Sequence, residues 1–133
     1  IMLDMSSGTI EPVLIDFGLS KYKGYSTFYN SSIPSIFYCA PELFNNEHSI
    51  KSDIFSLGAL YYILLEGYFP WHNKFSISDI NSVDLQDKIL KNRTSKLTFN
   101  AINAIEETIK LSIIKSLLPN ASTRFESVDD FYK

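Results

Sequence analysis

The sequence predicts a mainly helical fold, built around one buried central helix and preceded by a short N-terminal β-hairpin. Three features support this prediction. Residues 52–67 are apolar on every helical face, residues 99–118 repeat apolar side chains at spacings of three and four, and two short apolar runs flank a glycine-containing turn near residue 1.

The central helix has recognisable start and stop signals. Ser52 can cap the first turn with its hydroxyl, and Asp53 places a negative charge at the positive end of the helix dipole. Gly67 can adopt the left-handed conformation that closes a helix, and Pro70 prevents its continuation. Because no polar stripe runs along this segment, we expect it to be buried on all sides.

The other elements follow from local patterns. Ile1–Leu3 and Pro12–Ile15 form the two strands of the hairpin, and residues 19–34 form a long polar loop. The remaining predictions, in chain order, are a short helix over 38–44, irregular structure over 68–83, and helices over 85–90, 99–118 and 126–132.

Composition narrows the possible functions. The 133 residues are 45% hydrophobic and carry a formal net charge of −3, which gives no support for nucleic-acid or anionic-membrane binding. The single cysteine, Cys39, excludes an internal disulfide and a cysteine-based metal cluster. Without a signal peptide or a transmembrane run, we expect an intracellular, cytoplasmic protein.

Four short motifs occur in a telling order. They are Asp16-Phe17-Gly18, then Ala40-Pro41-Glu42, then the helix start Ser52-Asp53-Ile54-Phe55-Ser56-Leu57-Gly58, and finally Arg124. Each motif alone is weak, but together they resemble the C-terminal lobe of a eukaryotic-type protein kinase. The resemblance covers residues 1–133, which we interpret as part of one kinase domain.

The resemblance implies a nucleotide site at Asp16. In this family the D-F-G aspartate binds the Mg²⁺ that bridges the ATP phosphates, and Mg²⁺ prefers hard oxygen ligands. Phe17 would pack beneath the site, and Gly18 would allow the backbone bend that aims Asp16. ATP and Mg²⁺ are therefore the expected cofactors of the complete kinase. An aspartate before a turn glycine is the simpler alternative.

Residues 16–42 resemble an activation segment. Ser35 falls where the family carries the Thr or Ser of its substrate-anchoring loop, close to Tyr38, and this favours a Ser/Thr kinase acting on protein substrates. Pro34 replaces the usual glycine and fixes the local φ. Candidate sites for phosphorylation by an upstream activating kinase are Thr27, Ser31 and Ser32, although each could equally be a solvated loop hydroxyl.

The resemblance also implies structural roles for three charged residues. Glu42 and Arg124 should form a two-pronged ion pair that ties the activation segment to the lobe. Asp53 should accept hydrogen bonds from backbone N–H groups of the catalytic loop.

The family's catalytic loop, Gly-rich loop and ATP-binding lysine are not found in the sequence. We expect the chain to begin after the catalytic loop, with the catalytic base upstream of Ile1. We therefore expect the 133 residues alone to be inactive. The alternative is a pseudokinase or docking module that binds partner proteins without catalysis; Asp16 and Gly18 favour a catalytic protein, and Pro34 mildly favours the alternative.

Overall fold

A computed structural model describes residues 1–15, 36–45, 47–74, 84–100 and 107–132. The chain divides into two compact units, Ile1–Asn30 and Ser31–Lys133. Four α-helices and one two-stranded sheet occur in the described residues. The predicted class, mainly helical with an N-terminal hairpin, is confirmed.

The first unit contains the predicted β-hairpin. Strand β1 (Met2–Asp4) pairs antiparallel with strand β2 (Glu11–Val13), with Met2 opposite Val13 and Asp4 opposite Glu11. Gly8 has a φ of 81° in the turn between them, a conformation that glycine adopts without steric cost.

The second unit is organised around helix α1 (Ile50–Glu66). The other helices are α2 (Leu85–Asn92), α3 (Glu107–Ser116) and α4 (Val128–Phe131), and short 3-10 helices occur at Pro41–Asn45, His72–Lys74 and Ala121–Thr123. The hydrophobic core combines side chains of α1 with residues before and after it; its members are Ala40, Phe55, Ala59, Tyr62, Trp71, Ile113 and Leu117.

The central helix starts earlier than the sequence predicts. Ser49 is the N-cap, with extended backbone, and Ser52 is the third helical residue, so the prediction of Ser52 as the cap is wrong. The two serines form a capping box, in which the Ser49 N–H donates to Ser52 Oγ at 3.3 Å. Gly67 ends the helix as predicted, with a φ of 80° and its N–H bonded to Ile63 O at 2.8 Å.

The burial of α1 is less complete than expected. One face is buried along its length through Ser52, Phe55, Ala59, Tyr62 and Glu66. On the other side Leu64 is 71% exposed and Asp53 is also exposed, so the expectation of burial on every side is wrong. The helix is nevertheless the core element of its unit, as the fold class requires.

The helix predicted over 99–118 is shorter in the structure. Phe99 and Asn100 are not helical, residues 101–106 lie outside the described residues, and the described part of α3 covers Glu107–Ser116. Phe99 instead packs its ring 5.3 Å from that of Tyr62, so a tertiary contact overrides the helical pattern at this position.

Candidate functional site

Most of the residues predicted to carry chemistry lie outside the described residues. These are Asp16, Phe17 and Gly18 of the nucleotide motif, Ser35 of the substrate loop, and the phosphorylation candidates Thr27, Ser31 and Ser32. The structure does describe Tyr38, Glu42, Asp53 and Arg124. These four define a site that begins at the segment 36–45 and continues at the head of α1.

Segment 36–45 is attached to α1 and to the residues that follow it. Ser56 Oγ donates a hydrogen bond to Tyr38 O at 2.9 Å. The Phe37 and Tyr38 rings lie 5.1 and 5.2 Å from the ring of Phe69, and Ala40 is fully buried in the core. These contacts fix the backbone of the segment at the position where a substrate loop is predicted.

Glu42 and Arg124 form the two-pronged contact expected from the sequence. Arg124 Nη1 donates to Glu42 Oε1 at 2.7 Å, and Arg124 Nη2 donates to Glu42 Oε2 at 2.9 Å. The side chain of Arg124 is fully buried and that of Glu42 is 12% exposed. Ser52 Oγ donates a third hydrogen bond to Glu42 Oε1 at 2.8 Å, which connects the pair to the capping box of α1.

All the donors of Arg124 are used. Its Nε donates to Leu118 O at 2.7 Å, Nη1 also donates to Lys51 O at 2.8 Å, and Nη2 to Pro119 O at 3.0 Å. A guanidinium has five N–H groups, so this arginine is satisfied even though it is buried. Lys51 lies at the start of α1, whereas Leu118 and Pro119 follow α3. Arg124 therefore joins the start of α1 to the residues after α3.

The charge of Glu42 is stabilised by this arrangement. Burial raises its pKa, but hydrogen bonds from Arg124 and Ser52 and the attraction of the guanidinium outweigh burial, so the pKa lies below the ordinary 4.5. Glu42 is therefore ionised at neutral pH, and the contact is a charged pair.

Asp53 behaves differently from Glu42. Although Asp53 is exposed overall, the protein removes part of its contact with water, which raises its pKa above 3.8, and the nearby His48 opposes this only in part. Within the described part of the chain its carboxylate accepts no hydrogen bond. The predicted partner, a catalytic-loop backbone, is not part of this sequence, so the role of Asp53 stays a prediction.

Sequence reasoning missed Arg93, which lies beside segment 36–45. Its guanidinium carbon is 4.9 Å from the centre of the Phe55 ring, and Nη2 donates to Ile36 O at 2.9 Å. The residue is only 3% exposed. The one available signal is its position directly after a short amphipathic helix, which is too weak to predict burial.

Two kinds of feature are absent from the described residues. They contain no group of three or more His, Cys, Asp or Glu side chains placed to hold a metal ion. No helix among them has the length and apolar character needed to cross a bilayer.

The sequence of the chain matches a known family. The family model described as "Protein kinase domain" matches residues 1–130 of the chain. The matched range includes all four motifs, from Asp16 to Arg124.

Individual relatives give the same result. Calcium-dependent protein kinase 4 of Plasmodium berghei is 31% identical over 118 residues, which is 87% of this chain and 21% of the relative. CDPK-related kinase 4 of Arabidopsis thaliana is 38% identical over 61 residues, 46% of this chain and 10% of the relative. CBL-interacting protein kinase 2 of Oryza sativa is 31% identical over 114 residues, 82% of this chain and 23% of the relative. The chain thus spans about a fifth of the length of the first of these.

Proposed function

The chain belongs to the protein kinase domain family, and we propose that it is the C-terminal part of a Ser/Thr protein kinase. The complete enzyme would transfer the γ-phosphate of ATP to Ser or Thr hydroxyls of protein substrates. The observation that carries this proposal is the set of four motifs in family order, within a family match that covers residues 1–130.

The proposed division of labour follows from residue chemistry. Asp16 would supply a carboxylate ligand to Mg²⁺, which takes few ligands from protein and prefers hard oxygen. When bound, ATP would supply the phosphoryl group and Mg²⁺ would neutralise its charge. The residues of this chain would hold Mg²⁺ through Asp16 and present the substrate along segment 35–38.

The Glu42–Arg124 pair supports this proposal by fixing segment 36–45 at a second point. Tyr38 O is held by Ser56, and four residues later Glu42 is held by Arg124. A segment attached at both points loses little conformational freedom when a peptide binds, because its ordering cost is met during folding. We propose that this is why the pair belongs to the site as well as to the fold.

Activity should depend on Asp16 in the full-length natural protein. The assay measures ATP- and Mg²⁺-dependent phosphorylation of matched peptides that offer Ser, Thr or Tyr. We expect phosphate on Ser and Thr peptides, its loss in Asp16→Ala, and normal turnover in the control Asp84→Ala, an exposed aspartate just before α2.

Two results would contradict the proposal. Turnover that survives Asp16→Ala would show that the nucleotide motif is misassigned. A full-length protein that captures partner proteins but transfers no phosphate would favour the pseudokinase alternative. The isolated 133-residue chain should show no activity above background, because it contains no Gly-rich loop and no H-R-D catalytic loop.

A further inference from the structure

Arg93 is buried, and unlike Arg124 it forms no ion pair with a carboxylate in the part of the chain that the structure describes. It follows the last residue of α2, and its backbone N–H donates to Ile89 O at 3.1 Å at the end of that helix. Its guanidinium carbon makes two aromatic contacts, 4.9 Å from the Phe55 ring centre and 5.5 Å from that of Phe44. Nη2 donates to Ile36 O at 2.9 Å, whereas Nη1 is buried and has no hydrogen-bond partner among the described residues.

This arrangement is unfavourable for stability. Burial lowers the pKa of Arg93 to about 10, which means that the environment disfavours the charged form. An unsatisfied buried N–H costs its full desolvation penalty, and the aromatic rings offset only part of the cost of the charge. A methionine of similar length could fill the same space without a desolvated charge.

What methionine could not supply is the bond to Ile36 O. That carbonyl also accepts the backbone N–H of Cys39 at 3.3 Å, so it closes a turn over residues 36–39. Ser56 holds the next part of the turn through Tyr38 O. The turn is thus held by α1 on one side and by the end of α2 on the other.

We infer that Arg93 is a positioning residue for substrate: it fixes the backbone of residues 36–38 in the orientation that protein substrates require. This inference rests on the proposed kinase function and deepens it by assigning the affinity for the protein substrate, rather than for ATP, to a contact from α2. Arg93 acts through Ile36 O and need not touch the substrate itself.

The test compares Arg93→Met and Arg93→Lys in the full-length natural protein, with Lys91→Met as a control on an exposed residue of the same helix. The measurements are KM for a Ser/Thr peptide, KM for ATP, kcat, the melting temperature, and hydrogen–deuterium exchange of the peptide that contains residues 36–40. The exchange measurement does not require activity.

For Arg93→Met we expect a peptide KM raised about fivefold, the equivalent of one net hydrogen bond, with KM for ATP little changed. The melting temperature should stay the same or rise, and residues 36–40 should exchange faster. Arg93→Lys should fall between the wild type and Arg93→Met, because an ammonium can still donate to Ile36 O. Lys91→Met should match the wild type in every measurement.

Other results would overturn the inference. An Arg93→Met protein with a lower melting temperature and an unchanged peptide KM would show that the arginine is only structural. Unchanged exchange at residues 36–40 would show that it does not hold the turn. An inactive wild-type protein would contradict the proposed kinase function instead, and the exchange measurement would still decide whether Arg93 holds the segment.

Discussion

Both carboxylate oxygens of Glu42 accept hydrogen bonds from Arg124, at 2.7 and 2.9 Å, although the two residues are 82 positions apart. The pair closes the second unit on itself. It connects the segment before α1 with the residues after α3, and Ser52 adds the head of α1 to the same contact. A long-range, buried and fully hydrogen-bonded pair is costly to break, because removing either partner leaves the other as an uncompensated buried charge.

Glu42→Ala should therefore be strongly destabilising. The substitution leaves the fully buried Arg124 guanidinium without its carboxylate, and we expect the free energy of unfolding to fall by about 3–5 kcal/mol. Urea denaturation followed by circular dichroism measures this change. Arg124→Lys should be tolerated only in part, because an ammonium cannot make the parallel two-pronged contact.

The matched control for this change is Glu126→Ala. Glu126 also forms an ion pair, with Lys51 Nζ at 2.6 Å, but its side chain is 76% exposed. Exposed pairs contribute about 0–1 kcal/mol, so this substitution should have little effect. Equal effects of the two alanine substitutions would refute the special role of the Glu42–Arg124 pair.

The contribution of the Glu42–Arg124 pair to the free energy of unfolding should also depend on pH. Because the folded pKa of Glu42 lies below 4.5, the unfolded chain takes up a proton before the folded one does as the pH falls. The stabilisation is complete above that ordinary value and is lost as the pH falls through the folded pKa. The difference in unfolding free energy between wild type and Glu42→Gln should be larger at about pH 6 than at about pH 3. A difference that does not change with pH would contradict this reasoning.

Two serines show where sequence reasoning reaches its limit. The sequence predicts both ends of α1 to within three residues, because serine favours a helix start and glycine a helix end through local interactions. It cannot choose between Ser49 and Ser52 as the cap, since both can supply the hydroxyl. The structure has Ser49 as the cap while the Ser52 hydroxyl bonds to Glu42, a partner that only the tertiary fold brings near.

The candidate site also combines a contact that the sequence predicts with a residue that it does not. The Glu42–Arg124 contact was predictable because a family resemblance supplied information about distant positions, which local patterns do not contain. Arg93 belongs to no such motif, and its burial results from the packing of Phe44 and Phe55 around it. Leu64 is apolar but exposed, so hydrophobicity alone overestimated the burial of α1.

The buried phenol of Tyr62 should make the protein sensitive to alkali. Burial, followed by the negative charges of Tyr68 and Glu66, raises the pKa of Tyr62 to about 12, and its hydroxyl donates to Thr98 O. The unfolded chain loses this proton at about pH 10, so the contribution of Tyr62 to stability is constant below that pH and falls as the pH rises towards 12. Tyr62→Phe should weaken this decline between the two pH values. Identical alkaline profiles for the two proteins would show that Tyr62 does not cause it.

Gly58 allows α1 and α3 to pack closely, and replacing it tests that contact. A Cβ at this position would overlap Ser116 Oγ and lie 2.8 Å from Ser116 Cβ, which is too close for two carbon atoms. Ser116 is fully buried and its hydroxyl donates to Ile113 O at 2.8 Å, so it has little room to move. Overpacking costs about 1–3 kcal/mol, while alanine gains at most about 1 kcal/mol in helix propensity. We therefore expect Gly58→Ala to lower the unfolding free energy.

A double-mutant cycle separates this contact from a general effect of the substitution. In a Ser116→Gly background both overlapping atoms are gone, so Gly58→Ala should there be neutral or stabilising, because only the propensity gain remains. Leu64→Ala is the control within the same helix, since its side chain is 71% exposed and its loss should change stability by about 0.5 kcal/mol or less. If Gly58→Ala were equally harmful with and without the Ser116 side chain, the close approach of α1 and α3 at this point would not be the reason for the glycine.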